Sequence, residues 1–376
     1  MKHIRSTTTS ITKLEINLVN EAIKYGWKNK MNYYIDKFSD KFSQYIGVKY
    51  VLPVSHCTSA IHLALRVLDI KKGDEVIVPD ITWVASASPV LYVGAKPVFC
   101  DVDRETFCIN LESIKKRISK KTKAIIGVDL IGNIPQWKEI IKFCKKNKIY
   151  IIEDAAEGIG AKYNKKNAGN FGDISLFSFN ATKLIMSGQG GAFCTNNKKL
   201  YIKAKMLAEH GIDQEKSGKY YWSNDLGYNY RWTNIQAALA LAQLSRIEEL
   251  LDFKQSLFNS YYKELNNVEE LRFIKHSPNV DPSYWINALI FIQKTNYKKE
   301  KVCQYFQKKK IDLRPFFYQL SEMPTFKKFS QKKNFKNLNS HELATYGIML
   351  PYGYDLNSKD ISRICNMLKK YIKKNQ

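Results

Sequence analysis

The sequence predicts an α/β protein with a mainly parallel sheet covered by helices on both faces, and three observations carry that expectation. Short apolar runs recur from residue 50 to Asp154. Stretches of helical periodicity fill the gaps between them, the alternation that a parallel sheet with crossover helices requires. The 376 residues suffice for a large core domain and a smaller second one. The expected division is a large α/β domain with an N-terminal helical segment over 1–245 and a smaller α+β domain over 246–376.

Each element has its own justification. Thr12 and Glu15 stand at capping-box spacing, and Leu14, Leu18, Ala22 and Ile23 follow at helical intervals, so a first helix begins there. A second runs through Phe38, Phe42 and Tyr45. The strand-like runs are Tyr50–Val54, Glu75–Pro79, Lys96–Asp101, Ala124–Val128 and Tyr150–Asp154. Helices are expected between them at Ala60–Leu68, Leu111–Ile118 and Trp137–Lys146. Two further strands follow, Ile174–Phe179 and Gly191–Thr195, separated by a loop. One long helical pattern then spans roughly Thr233–Leu265, and helices of that length commonly bridge domains. The remainder predicts a strand around Ile286–Ile292, a basic amphipathic helix at Lys301–Lys309 and a closing helix at Ser358–Lys373.

Composition narrows the setting. The net charge of +25 comes from 60 basic against 35 acidic residues. Such a surplus can draw a chain to nucleic acid, a membrane surface or anionic metabolites. Lysine greatly outnumbers arginine and sits in short clusters such as Lys71-Lys72 and Lys308 to Lys310. A solvated lysine-rich surface is therefore the reading taken, with no nucleic-acid and no membrane partner expected. No apolar run approaches the roughly 20 residues that span a bilayer, and the first ten residues do not read as a secretory signal. The seven cysteines are scattered, odd in number and never in a CxxC pair, which predicts reduced thiols in a cytoplasm and no structural metal site.

Three groups of residues close predicted strands, where open parallel sheets bind ligands. Ser55-His56-Cys57-Thr58-Ser59 leads into a helix, and small hydroxyl residues at a helix N-terminus suit a phosphate, although Ser and Thr are also ordinary N-caps. Asp154 in Ile151-Ile152-Glu153-Asp154-Ala155-Ala156-Glu157 closes a buried apolar strand, which is costly unless something positive meets it. A pyridinium nitrogen is such a partner; a metal ion or a helix N-terminus are alternatives. Glu157 either lies near a cofactor edge or caps the following turn. In Phe177-Ser178-Phe179-Asn180-Ala181-Thr182-Lys183 a lysine follows a strand by a few residues, ahead of the turn Gly188-Gln189-Gly190-Gly191. A lysine so placed can form a Schiff base with an aldehyde cofactor, with Ser178 available to the cofactor's phosphate.

At these residues the sequence resembles the DegT/DnrJ/StrS family of sugar aminotransferases, which are fold type I enzymes dependent on pyridoxal 5′-phosphate (PLP). The likeness runs along nearly the whole chain, through Thr82-Trp83-Val84-Ala85, Gly132-Asn133, Phe171-Gly172-Asp173, His210-Gly211 and Leu226-Gly227-Tyr228-Asn229-Tyr230-Arg231. The resemblance implies that Lys183 holds PLP and shuttles protons, and that Asp154 pairs with the pyridine nitrogen. It implies Trp83 over the ring face, Thr58, Ser59 and Ser178 on the phosphate, and Glu157 near the cofactor. Asn229 would reach the same phosphate from a neighbouring subunit, which implies a homodimer with shared sites. The implied reaction moves an amino group from L-glutamate to the ketone, with C-4 expected, of a nucleotide-linked keto-deoxysugar, for aminosugar and surface-glycan synthesis. Asp129, Gln189 and Ser321 depart from the family pattern, where His, Glu and His are common, and all three are expected to border the sugar side of the pocket. A cyclitol aminotransferase, a sugar dehydratase and a nucleic-acid-binding regulator are the rivals. Lys183 counts against the dehydratase, because some relatives that dehydrate have His there.

Overall fold

A computed structural model describes residues 2–28, 30–213, 218–292, 297–330 and 337–375. Helix α1 (Lys13–Tyr25) starts at the capping box the sequence predicts: Thr12 caps it, and the Glu15 carboxylate accepts the Thr12 N–H at 2.7 Å. Its periodic apolar face is only partly covered, since Ala22 is buried whereas Leu14 and Ile23 are exposed. Helix α2 (Tyr33–Ile46) stops at Gly47, whose φ of +78° gives the left-handed turn that ends many helices. Phe42 meets Phe177 edge-on with ring centroids 4.9 Å apart, which seats α2 on the central sheet.

That sheet holds β1 (Tyr50–Val54), β2 (Glu75–Pro79), β3 (Lys96–Cys100), β4 (Thr122–Val128), β5 (Tyr150–Asp154), β8 (Ile174–Ser178) and β9 (Gly191–Thr195), in the order β1-β9-β8-β5-β4-β2-β3. Five neighbours run parallel, and β9 is antiparallel to both β1 and β8. The strand-like runs read from the sequence are therefore present nearly residue for residue. The consequence for function is geometric: β1, β2, β4, β5 and β8 all end on one edge. Helices α3 (Cys57–Val67), α4 (Ser88–Tyr92), α5 (Leu111–Arg117), α6 (Trp137–Asn147) and α7 (Lys198–Ala208) make the crossovers and cover the faces. Between β5 and β8, the hairpin β6 (Lys162–Tyr163) and β7 (Lys166–Asn167) pairs with β11 (Val280–Asp281).

The expected long helix over Thr233–Leu265 is two helices, α8 (Asn234–Ser245) and α9 (Ile247–Leu265), broken at Arg246. The cause lies far away in sequence. Arg246 Nη1 pairs with Glu15 at 2.7 Å and Gln243 Nε2 donates to the same carboxylate at 2.7 Å, so α1 sets the end of α8. Glu15 is almost fully buried; burial pushes its pKa up, but the donors of Thr12 and Arg246 outweigh that and lower it to about 2.

A second, antiparallel sheet has the order β10 (Leu271–Phe273), β12 (Ala288–Phe291), β14 (Gly347–Met349), β13 (Arg314–Pro315), accompanied by α10 (Lys299–Gln307), α11 (Leu338–Tyr346) and α12 (Ser358–Asn375). The first residues of the chain join this region. Ile4 bridges Ile311, and Thr8 bonds Asp355 at 2.7 Å. Among the described residues no helix is long and apolar enough to cross a membrane.

Candidate active site

Alternation along β5 sends its two terminal acids to opposite faces of the sheet. Glu153 accepts the N–H groups of Gly169, Phe171 and Gly172 at 2.6, 2.8 and 3.2 Å and the Ser175 hydroxyl at 2.8 Å. It is a structural anion holding the loop before β8. Asp154, 3% exposed, accepts the Ser86 hydroxyl at 2.7 Å on Oδ2. Its Oδ1 accepts the Ala156 N–H at 3.2 Å and lies 3.9 Å from the Cys57 thiol. Burial pushes the Asp154 pKa up, while these donors and the charge of Lys183 pull it back.

Lys183 sits on a turn built by its own neighbours. Asn180 Oδ1 accepts the Thr182 N–H and hydroxyl, both at 3.1 Å, and Gly188, at φ +77°, returns the chain toward β9. The Lys183 side chain is 13% exposed and its Nζ lies 3.5 Å from Glu157 Oε1. Glu157 Oε2 accepts the Ile131 N–H at 2.7 Å, so the acid is held on one side and faces the amine on the other. Burial raises the Glu157 pKa, and Lys183 opposes that. Beneath the amine lies Trp285, its ring centroid 3.9 Å from Nζ and its indole N–H donating to the Thr182 carbonyl at 2.9 Å.

The third component is the start of α3. Its N-cap, His56, makes no side-chain cap bond, which leaves first-turn N–H groups at Thr58 and Ser59 open to an anion. Ser59 Oγ is 3.2 Å from Ser55 Oγ. Ser178 is register partner to Gly191, and a Cβ on Gly191 would stand 2.4 Å from the Cys57 nitrogen. Glycine there lets β9 lie against the helix start, so Ser178 joins the same cradle.

The remaining sequence candidates occupy different positions. Trp83 is 59% exposed and 6.0 Å from the Phe317 ring. Asn229 is exposed, its backbone bridging Glu209. Of the three departures expected on the sugar side, Asp129 is wholly enclosed, with Gly158 against its carboxylate, and so forms no open wall. Gln189 is exposed and accepts from Asn180 at 3.2 Å. Ser321 donates to Asp80 at 2.7 Å, and Gln319 and Asn337 donate to the same carboxylate, so Asp80 anchors the 319–321 segment beside β2. Sequence reading missed Ser86, Asp80 and Trp285 as parts of this site. Asp80 and Ser86 flank the quoted Thr82–Ala85 motif, whereas nothing local marks Trp285. Among the described residues no group of three or more His, Cys, Asp or Glu could hold a metal ion.

An enclosed acid with free acceptor capacity, an amine and an open helix N-terminus on one sheet edge match the three polar ends of PLP: ring nitrogen, aldehyde and phosphate. Residues 9–369 match the DegT/DnrJ/EryC1/StrS aminotransferase family. The chain belongs to this family. It is a PLP-dependent aminotransferase with the fold type I architecture expected from its sequence. It is 36% identical to the GDP-perosamine synthase of Escherichia coli O157:H7 over 371 residues, 99% of each chain. The GDP-perosamine synthase of Vibrio cholerae is 35% identical over 357 residues, 95% of this chain and 96% of that one. Among solved structures, a sugar aminotransferase of Streptococcus pneumoniae in its PMP form superposes with a TM-score of 0.91 at 24% identity, covering 99% of this chain and 98% of that one.

Proposed function

We propose that this aminotransferase moves an amino group from L-glutamate to C-4 of a nucleotide-linked keto-deoxysugar, with a GDP-linked sugar as the first candidate. The observation that carries the reading is the convergence of Lys183, Asp154 and the α3 N-terminus on one edge, in a chain 36% identical over nearly its whole length to a GDP-perosamine synthase. Bound PLP supplies an aldehyde for amines and a ring that accepts electrons. The chain's own groups supply the rest. Asp154 holds a proton on the ring nitrogen, and Thr58, Ser59 and Ser178 hold the phosphate. Lys183 Nζ, kept between Glu157 and Trp285, would carry the proton between the substrate carbon bearing nitrogen and the cofactor's C4′. Trp83 covers the ring face.

The reading extends to assembly. Ile11, Leu14, Ile16, Ile23, Tyr25, Trp27 and Met31 are all exposed around α1, an apolar surface that a second copy would cover. The exposed Asn229 would then reach the partner's phosphate cradle. A large unit over 1–245 and a small one over 246–376 remains the proposed division, with Ile4 and Thr8 contacting the small unit. Seven free thiols suit a reducing cytoplasm, and the aminosugar product suits surface-glycan synthesis.

The test is direct. Protein reconstituted with PLP absorbs in the visible and loses that band on adding L-glutamate. A panel of GDP-, UDP- and dTDP-linked keto-sugars then identifies the acceptor, and NMR of the product locates the new amine. Turnover by Lys183→Ala protein would overturn the assignment.

A further inference from the structure

We infer that Thr82 and Ser86 form a two-hydroxyl relay that aims Asp154 at the cofactor's ring nitrogen, making the segment after β2 a positioning element of the site. The inference rests on the proposed role of Asp154 and adds residues to it. Both hydroxyls are enclosed, Thr82 at 1% and Ser86 at 2% exposure. Ser86 Oγ lies 2.7 Å from Asp154 Oδ2 and 3.2 Å from Thr82 Oγ1.

The chain of donors has one direction. An ionised carboxylate only accepts, so the Ser86 hydrogen points at Oδ2. The Ser86 oxygen then takes the hydrogen of Thr82. The turn Val84–Ser86, closed by the Ser86 N–H on the Trp83 carbonyl at 3.0 Å, brings Ser86 inward as Trp83 faces out. One short loop thus turns an aromatic ring outward and a hydroxyl in behind the acid.

The physical role follows from burial. Asp154 is enclosed, and an acid there that took the proton itself could not hold a charged ring nitrogen. The bond from Ser86 to a charged oxygen offsets that tendency, and such bonds are about twice as strong as neutral ones. Without it the shared proton shifts toward Asp154 and the ring loses positive charge. The lysine–cofactor link, no longer beside that charge, then deprotonates at higher pH.

The experiment uses the full chain reconstituted with PLP and reads two quantities: the PLP dissociation constant and the pH midpoint of the visible band. Ser86→Ala is expected to weaken PLP binding about tenfold, the size of a charge-assisted bond, and to move the midpoint up. Ser86→Thr keeps both near wild type, and Thr82→Val moves both in the same direction by less. The titratable groups around Asp154 are Lys183, Cys57, Glu157 and Asp129. All are intact in these variants, so a shift belongs to the hydroxyls. An unchanged dissociation constant and midpoint in Ser86→Ala would overturn the inference, as would lower thermal stability with an unchanged midpoint. If Ser86→Ala does not fold, the near-isosteric Thr82→Val decides by the direction of its midpoint. Wild-type protein that fails to bind PLP defeats the underlying reading instead.

Discussion

The ends of β4 and β5 lie side by side, joined by the Asp129 N–H on the Asp154 carbonyl at 3.0 Å, yet they treat buried acids in opposite ways. On β5, Glu153 has four donors, three of them backbone N–H groups. Asp154 has a hydroxyl, one N–H and a distant thiol. Just past β4, Asp129 has both oxygens buried and forms no hydrogen bond among the described residues, the indole N–H of Trp137 nearby being equally unpaired. All three have their pKa raised by burial, so enclosure alone does not separate them. Donor number does. A fully served acid is part of the scaffold, a partly served one is free to take a ligand, and an unserved one is pushed toward its neutral form.

The sharpest test of that ranking is Asp154→Asn. An amide cannot carry the charge that holds a protonated ring nitrogen, so turnover should fall about a thousandfold, roughly 4 kcal/mol of barrier. Folding stability should change by less than about 1 kcal/mol, because the Asn oxygen can accept from the Ala156 N–H while its amide N–H donates to the Ser86 hydroxyl, which can turn to donate elsewhere. Steady-state rates and urea unfolding on the same preparations separate the two effects. A variant as unstable as it is inactive would place Asp154 with the scaffold.

Glu153→Gln should show the reverse pattern. The amide has one accepting oxygen for four donors, leaving enclosed N–H groups of the 169–172 loop unpaired. A stability loss of about 3 kcal/mol is expected from urea unfolding. The rate per folded molecule should stay within a few-fold of wild type. If stability holds, the count of donors has no energetic meaning here.

These two neighbours also show what the sequence made visible. Both acids stand in one quoted motif, and their strand was legible from its apolar run, so the position of Asp154 at the sheet edge followed from local pattern. That Glu153 faces away and serves a loop was not legible, because its partners are 16 to 22 residues later. Lys183 was found through its glycine turn and hydroxyl neighbours. Trp285, its ring 3.9 Å from the same amine, lies 102 residues on in a stretch whose pattern reads only as strand. The break at Arg246 was equally hidden, since Glu15 pairs across 231 residues of chain. Periodicity reports elements and their ends; it does not report which side chains long-range packing brings together.

Asp129→Asn carries the smallest expected effect and a definite sign. The groups acting on Asp129 are Glu153, Asp154 and the indole N–H of Trp137, and burial with the two neighbouring acids holds its pKa well above the ordinary carboxylate range. Below about pH 4 the folded and unfolded chains both carry the proton, so the acid contributes nothing to pH dependence. As pH rises past that point the unfolded chain releases the proton and the folded chain keeps it, so stability falls with pH until the folded group also ionises. Asn at this position never titrates. The substitution also removes a potential like charge beside Glu153 and Asp154. The variant should therefore match wild type near pH 4 and exceed it by about 1 kcal/mol or more at pH 8. Urea midpoints measured at both pH values check the sign: an advantage that is constant with pH, or that shrinks as pH rises, would mean that Asp129 is ionised in the folded chain and has a donor after all.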